Sequence, residues 1–136
     1  MNSDEDRKAL ITYRLKQAQE ALEDAKKLVK HQGSPRSIAN RSYYAMFYAV
    51  LALLLVIGKG TSKHSGAIAL FDQYFVKTGL LPKELSRSLH RAFELRQQGD
   101  YEELAEIGQE DGLEAIKNAE KFLGSVHTYL RKEGIN

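Results

Sequence analysis

Asn40–Ile57 reads NRSYYAMFYAVLALLLVI, and from Tyr43 onward it carries no charged residue. A helix built from Tyr43–Ile57 has no polar face to turn to water, so it must be enclosed by other helices or by a second copy of the chain. In so small a protein the second copy is the expectation. The wholly apolar part, Ala45–Ile57, falls short of the roughly 20 residues that cross a bilayer, and it reads as a core or interface helix.

The flanking sequence supplies the companions. Leu15, Ala18, Leu22, Ala25, Leu28 and Val29 recur at spacings of three and four, which predicts a long amphipathic helix from about Asp6 to Lys30, ending near His31-Gln32-Gly33. Ser34-Pro35 then offers an N-cap followed by proline at the first helical position, where a missing N–H costs nothing. Gly58-Lys59-Gly60 breaks the apolar helix, and Thr61 or Ser62 is positioned to cap a third helix through about Lys77, closed by Thr78-Gly79. Leu81-Pro82 opens a fourth, with Leu85, Leu89, Ala92 and Phe93 as its inner stripe and Gly99 as an interruption. Asp100 and Glu103 have capping-box spacing, which predicts a short turn over Tyr101–Ile107. A last helix from about Gln109 to Lys132 carries Leu113, Ile116, Ala119, Phe122, Leu123, Val126 and Leu130 on one stripe. No stretch alternates with period two for long enough to make a sheet. The expectation is one all-α domain over residues 1–136, an up-and-down bundle of four to five helices.

Composition narrows function mainly by exclusion. Lys and Arg number 20 against 18 Asp and Glu, too small a surplus for a basic face that grips duplex nucleic acid. No cysteine is present, which removes disulfides, thiolate nucleophiles and thiolate metal sites and suits a reducing cytoplasm. The first ten residues, MNSDEDRKAL, lack an apolar signal core, so a cytoplasmic protein without a membrane partner is expected. The four histidines, at 31, 64, 90 and 127, have no metal-ligand spacing, and neither a metal nor another cofactor is implied.

Three places carry polar chemistry. Asn40, Arg41 and Tyr44 enter the apolar helix from one end; they either tidy a helix start beside solvent or face a binding site. Arg96 prolongs the buried stripe of Leu89, Ala92 and Phe93, and an inward guanidinium needs a partner, for which Asp100 and Tyr101 are nearest. A structural ion pair and an anion or phosphate site fit that arrangement equally. Thr61-Ser62-Lys63-His64-Ser65-Gly66, at a helix start, is a weaker phosphate cradle, with Lys63 and His64 as its functional groups.

The ordered succession SYYAMFYA, SKHSG, FVKTG and LRQQGDY resembles the HEPN domain, in its small stand-alone prokaryotic branch. That resemblance covers most of the chain and implies a four- or five-helix bundle, commonly a homodimer. It also implies nucleotide or RNA involvement beside a minimal nucleotidyltransferase, as a two-component or toxin–antitoxin pair. Many members are metal-independent ribonucleases whose motif is an Arg, a polar residue and, four to six residues on, a His. Arg96 and Gln97 match the first two positions; Asp100 and Tyr101 stand where the motif runs on, and no His follows. The resemblance therefore implies a binding module contacting nucleotide or RNA around Asn40, Arg41, Tyr44 and Arg96, with no assigned catalytic residue. A ribonuclease toxin with an altered site, or a purely structural interaction protein, are the alternatives.

Overall fold

The structure, a computed structural model, describes residues 3–101 and 106–135. Its helices are α1 (Ser3–Lys30), α2 (Pro35–Val56), α3 (His64–Phe71), α4 (Lys83–Tyr101) and α5 (Gln109–Lys132), in an all-helical bundle. α2 lies in the middle, packed against α1, α4, α5 and α3.

That placement resolves the demand set by the apolar sequence. Twelve of the residues of α2 are buried, among them Tyr43, Met46, Val50, Leu53 and Leu54, so the chain's own helices enclose most of it. Tyr44, Tyr48, Leu51 and Leu55 remain only half-buried, at spacings that align them along one side. The whole 22-residue helix is long and apolar enough by composition to cross a bilayer, which the shorter run Ala45–Ile57 is not; 67% of its most apolar window is buried inside the bundle.

Local chemistry sets the boundaries. α1 ends in a Schellman motif: the N–H of Gly33 donates to Leu28 O at 2.6 Å and that of Gln32 to Val29 O at 3.3 Å. The left-handed residue is Gln32, at φ 57°, not the glycine beside it. Gly33 is needed instead for room, because a Cβ there would lie 2.7 Å from Leu28 Cδ2. Ser34 caps α2 as its sequence predicts, its hydroxyl accepting from the Ser37 N–H at 3.1 Å.

Four expectations are corrected. α3 begins at His64 with Lys63 as its N-cap, and neither Thr61 nor Ser62 caps it; Thr61 Oγ1 accepts from the Lys63 N–H at 3.3 Å. That helix widens into a π-helical turn over Asp72–Val76, in which Lys77 N–H donates to Asp72 O at 2.8 Å. Gly99 does not interrupt α4, which runs through it to Tyr101. The glycine is buried, and a Cβ there would lie 2.9 Å from Ile107 Cδ1 and in ordinary contact with Arg36. Asp100 is consequently helical and caps nothing; Glu103 lies outside the described residues, and Glu106 and Ile107 are not helical. On α5, Leu113 is 42% exposed, because the small residues Gly112 and Ala115 form the inner face of its first turns.

One large core joins α1, α2, α3, α4 and α5 through Leu22, Val50, Phe71, Leu89, Phe122 and Val126. A second, small cluster of Ala39, Leu95 and Ala115, covered by Ile107, closes the end where α2 starts and α4 finishes. The polar residues singled out in the sequence gather at that end.

Candidate functional site

Arg96 stands at the centre of the polar cluster. Its side chain is 13% exposed, and Nε donates to Asp100 Oδ2 at 3.1 Å. Nη2 donates to the Tyr44 hydroxyl at 3.1 Å and the Tyr101 hydroxyl at 3.3 Å. The guanidinium also lies 5.3–5.8 Å from the ring centroids of Tyr43, Tyr44 and Tyr101, so aromatic faces surround the charge where water would otherwise solvate it. Arginine suits this position because its flat, forked donor set serves several acceptors while its faces stack.

The beginning of α2 supplies the opposite wall. Asn40 Nδ2 donates to the same Asp100 Oδ2 at 3.0 Å. Its Oδ1 accepts from Arg41 Nε and Nη2 at 3.1 and 2.9 Å. Arg41 lies 5.0 Å from the Tyr44 ring centroid, as expected for residues three apart on one side of a helix. Arg96 is matched by Asp100, whereas Arg41 makes no ion pair with a carboxylate among the described residues. Among the described residues, the charge in the cluster that no carboxylate matches is therefore that of Arg41.

His64, at the start of α3, joins the cluster through the same tyrosines, its ring 5.8 and 5.9 Å from those of Tyr43 and Tyr44. Its ring stacks on Phe47 at 4.1 Å and 4°, and Nδ1 lies 2.6 Å from the Tyr43 hydroxyl. Burial pushes the Tyr43 phenol far above its ordinary range, with Arg96 only partly offsetting it. Burial, followed by the Arg96 charge, pulls the His64 imidazole below its usual value. A buried phenol that keeps its proton needs an acceptor, and Nδ1 is the one in reach, which leaves the proton of the neutral ring on Nε2. Such a His64 donates a hydrogen bond through Nε2, and its one lone pair, on Nδ1, is occupied by the phenol.

These shifts give a stability signature. His64 has a lowered folded pKa, so the unfolded chain takes up the proton first; the stabilising contribution is complete above about pH 6.5 and is lost as pH falls through the folded value. Melting temperature should fall more between pH 7 and pH 5 in the native chain than in His64→Gln. Equal falls in thermal melts of the two would remove the Tyr43–His64 pair from this account.

Of the residues picked out in the sequence, Asn40, Arg41, Tyr44, His64, Arg96, Asp100 and Tyr101 come together, and Lys63 does not: it is exposed and its side chain joins none of them. Tyr43 and Phe47, which seat His64, and Arg36, whose Nη1 donates to Gly99 O at 3.0 Å, were not anticipated. Arg36 was discoverable from its place one helical turn before Asn40. Among the described residues no group of three or more His, Asp or Glu side chains is placed to hold a metal.

Comparison with known proteins matches residues 11–129 to the HEPN domain. The chain belongs to the HEPN family. A UPF0332 protein of Thermotoga maritima is 46% identical over 125 residues, 92% of this chain and 94% of the relative. A UPF0332 protein of Archaeoglobus fulgidus is 32% identical over 122 residues, covering 90% of this chain and 96% of the relative. A Methanocaldococcus jannaschii protein bearing the name "Putative toxin MJ0142" is 32% identical over 121 residues, covering 89% and 82% of the two chains. The HEPN match extends from within α1 to near the end of α5 and so includes every member of the polar cluster.

Proposed function

We propose that this HEPN protein is a toxin-like, phosphate-recognising module that binds nucleotide or RNA at the Arg96 cluster and works beside a minimal nucleotidyltransferase. The observation that carries the reading is the convergence of Arg96, Arg41 and the His64 ring on Tyr44, with Tyr43 and Tyr101 also facing Arg96. Cations, a neutral donor and flat aromatic faces are the groups that hold phosphate and stack bases. Relatives whose names contain the word toxin support the toxin-like part; the nucleotidyltransferase partner rests on the family resemblance. His64 supports binding over cleavage, since a ring already accepting at Nδ1 and protonated at Nε2 is a poor proton shuttle for 2′-OH attack.

Dimerisation belongs to the same reading. The half-buried stripe of Tyr44, Tyr48, Leu51 and Leu55 suits a two-fold contact in which each copy presents the same surface. Tyr44 belongs to both stripe and cluster, so such a contact joins two clefts into one groove.

The test is retention of labelled single-stranded RNA by the purified protein in EDTA, with the RNA recovered and sized afterwards. Retention with intact RNA is expected, and sedimentation equilibrium on the same sample should give about twice 15.4 kDa. No retention would overturn the binding reading, rapid cleavage lost in Arg96→Ala would replace it with the ribonuclease alternative, and a clean monomer would remove the dimer.

A further inference from the structure

A groove of about 990 Å³ lies between the first turns of α4 and the second half of α5, at the far end of α4 from Arg96 and Asp100. Its floor is apolar: Leu81 and Leu85 rise from the core, and Leu80 stands 50% exposed beside them. Its rim is cationic. Arg87, Lys121 and Lys132 line it together with Glu84, and none of these three cations pairs with a carboxylate among the described residues. Farther along the same two helices Arg91 is held by Asp111 and Glu114, at 3.4 and 3.9 Å. α4 and α5 are therefore tied by ion pairs at one end and hold unmatched positive charge where the groove opens.

Gly124, also in the lining, is an independent sign. It is exposed in the interior of α5, and a Cβ there would have nothing within 4 Å. The helical glycines Gly99 and Gly112 have neighbours that use the space, with Ile107 and Ile38 atoms 2.9 and 3.4 Å from a Cβ. Glycine weakens a helix interior relative to alanine, yet at Gly124 no described part of the chain occupies the room it leaves. Room kept on an outward face suits something that arrives from outside and lies close to the backbone.

We infer that this groove docks an acidic amphipathic helix of another protein, its apolar side chains over Leu80 and Leu85 and its carboxylates on Arg87, Lys121 and Lys132. The α5 wall runs from Asn118 to Lys132, about 21 Å at 1.5 Å per residue, which matches roughly fourteen residues of a helix laid alongside. A second copy in two-fold contact would set these cations against their own equivalents, a repulsive arrangement. Nucleic acid would match the cations but gain nothing from the leucines. The site is separate from the Arg96 cluster and does not rest on the phosphate reading.

The experiment pans a displayed library of random fourteen-residue peptides on the full chain and on Gly124→Leu, whose added side chain fills the space over α5. Peptides with Asp or Glu on one helical face and Leu or Phe on the other should be enriched on the native chain and not on the variant. The best of them, synthesised and titrated, should bind at least tenfold more weakly to Gly124→Leu and to Lys121→Glu/Lys132→Glu, and with unchanged affinity to Arg96→Ala. Gly124→Leu should melt no lower than the native chain; a clear fall would show that the space is not open and overturn the inference. Enrichment of basic or uncharged peptides, no enrichment, or equal binding by Gly124→Leu would also overturn it. Loss of oligoadenylate binding in Lys121→Glu/Lys132→Glu would make the occupant nucleic acid instead, and a change in sedimentation mass in Gly124→Leu would make it a second copy of the chain.

Discussion

Replacing Arg96 with Ala is expected to weaken RNA retention by roughly 10- to 100-fold, the loss that follows from removing charge-assisted hydrogen bonds of about 1.5–3 kcal/mol. The melting temperature should move by only a few degrees, because the groups left behind keep alternatives: Asp100 is 31% exposed and still accepts from Asn40. Arg96→Lys should bind nearly as poorly as the alanine variant. A single ammonium cannot serve Asp100, Tyr44 and Tyr101 together while lying flat among three rings. Fluorescence anisotropy with labelled RNA, read beside thermal melts, separates recognition from architecture. A large fall in melting temperature with unchanged affinity would make Arg96 a structural tie and nothing more.

The core is the place for the largest stability effect. Phe122→Ala on α5 should cost about 3–5 kcal/mol, since the site is fully buried and the cavity left behind can collapse only partly. For a chain of this size that corresponds to a fall of roughly 10–20 °C in melting temperature. The ring packs 5.5 Å from Phe71, which belongs to α3, so the variant also loosens the helix that delivers His64. Phe122→Leu, which keeps most of the volume, should lose less. Circular dichroism melts decide the matter, and a loss below about 1 kcal/mol in the alanine variant would mean that Phe122 is not packed as described.

What could be read from the sequence follows a physical division. Hydrophobic spacing placed α5 at Gln109–Lys132 and made α2 the enclosed helix, because burial of a stripe is a repeated, additive signal. Arg96 was legible for the same reason, as a charge standing on an apolar stripe, and its partners Asp100 and Tyr101 lie within one turn. Gly99 was misread because helix-breaking is judged locally, whereas that glycine is retained in the helix by what packs on it from Arg36 and Ile107. The seat of His64 was illegible for a related reason. Nothing in SKHSG says that the segment folds back over Tyr43 and Phe47, residues separated from it by most of a helix and a loop. The missing histidine after Arg96 was visible at once, and His64 was picked out as a candidate, but its meeting with Tyr43 and Phe47 was visible only in three dimensions.

The central position of α2 also has a consequence for how the protein is made. α2 is long and apolar enough to be taken for a membrane span, and two of the helices that cover it, α4 and α5, follow it in the chain. At synthesis rates of roughly 5–20 residues per second, a span-like segment waits for several seconds with only α1 to shelter it. The charged outer face of α1 thus offers α2 a polar cover before α4 and α5 have been made.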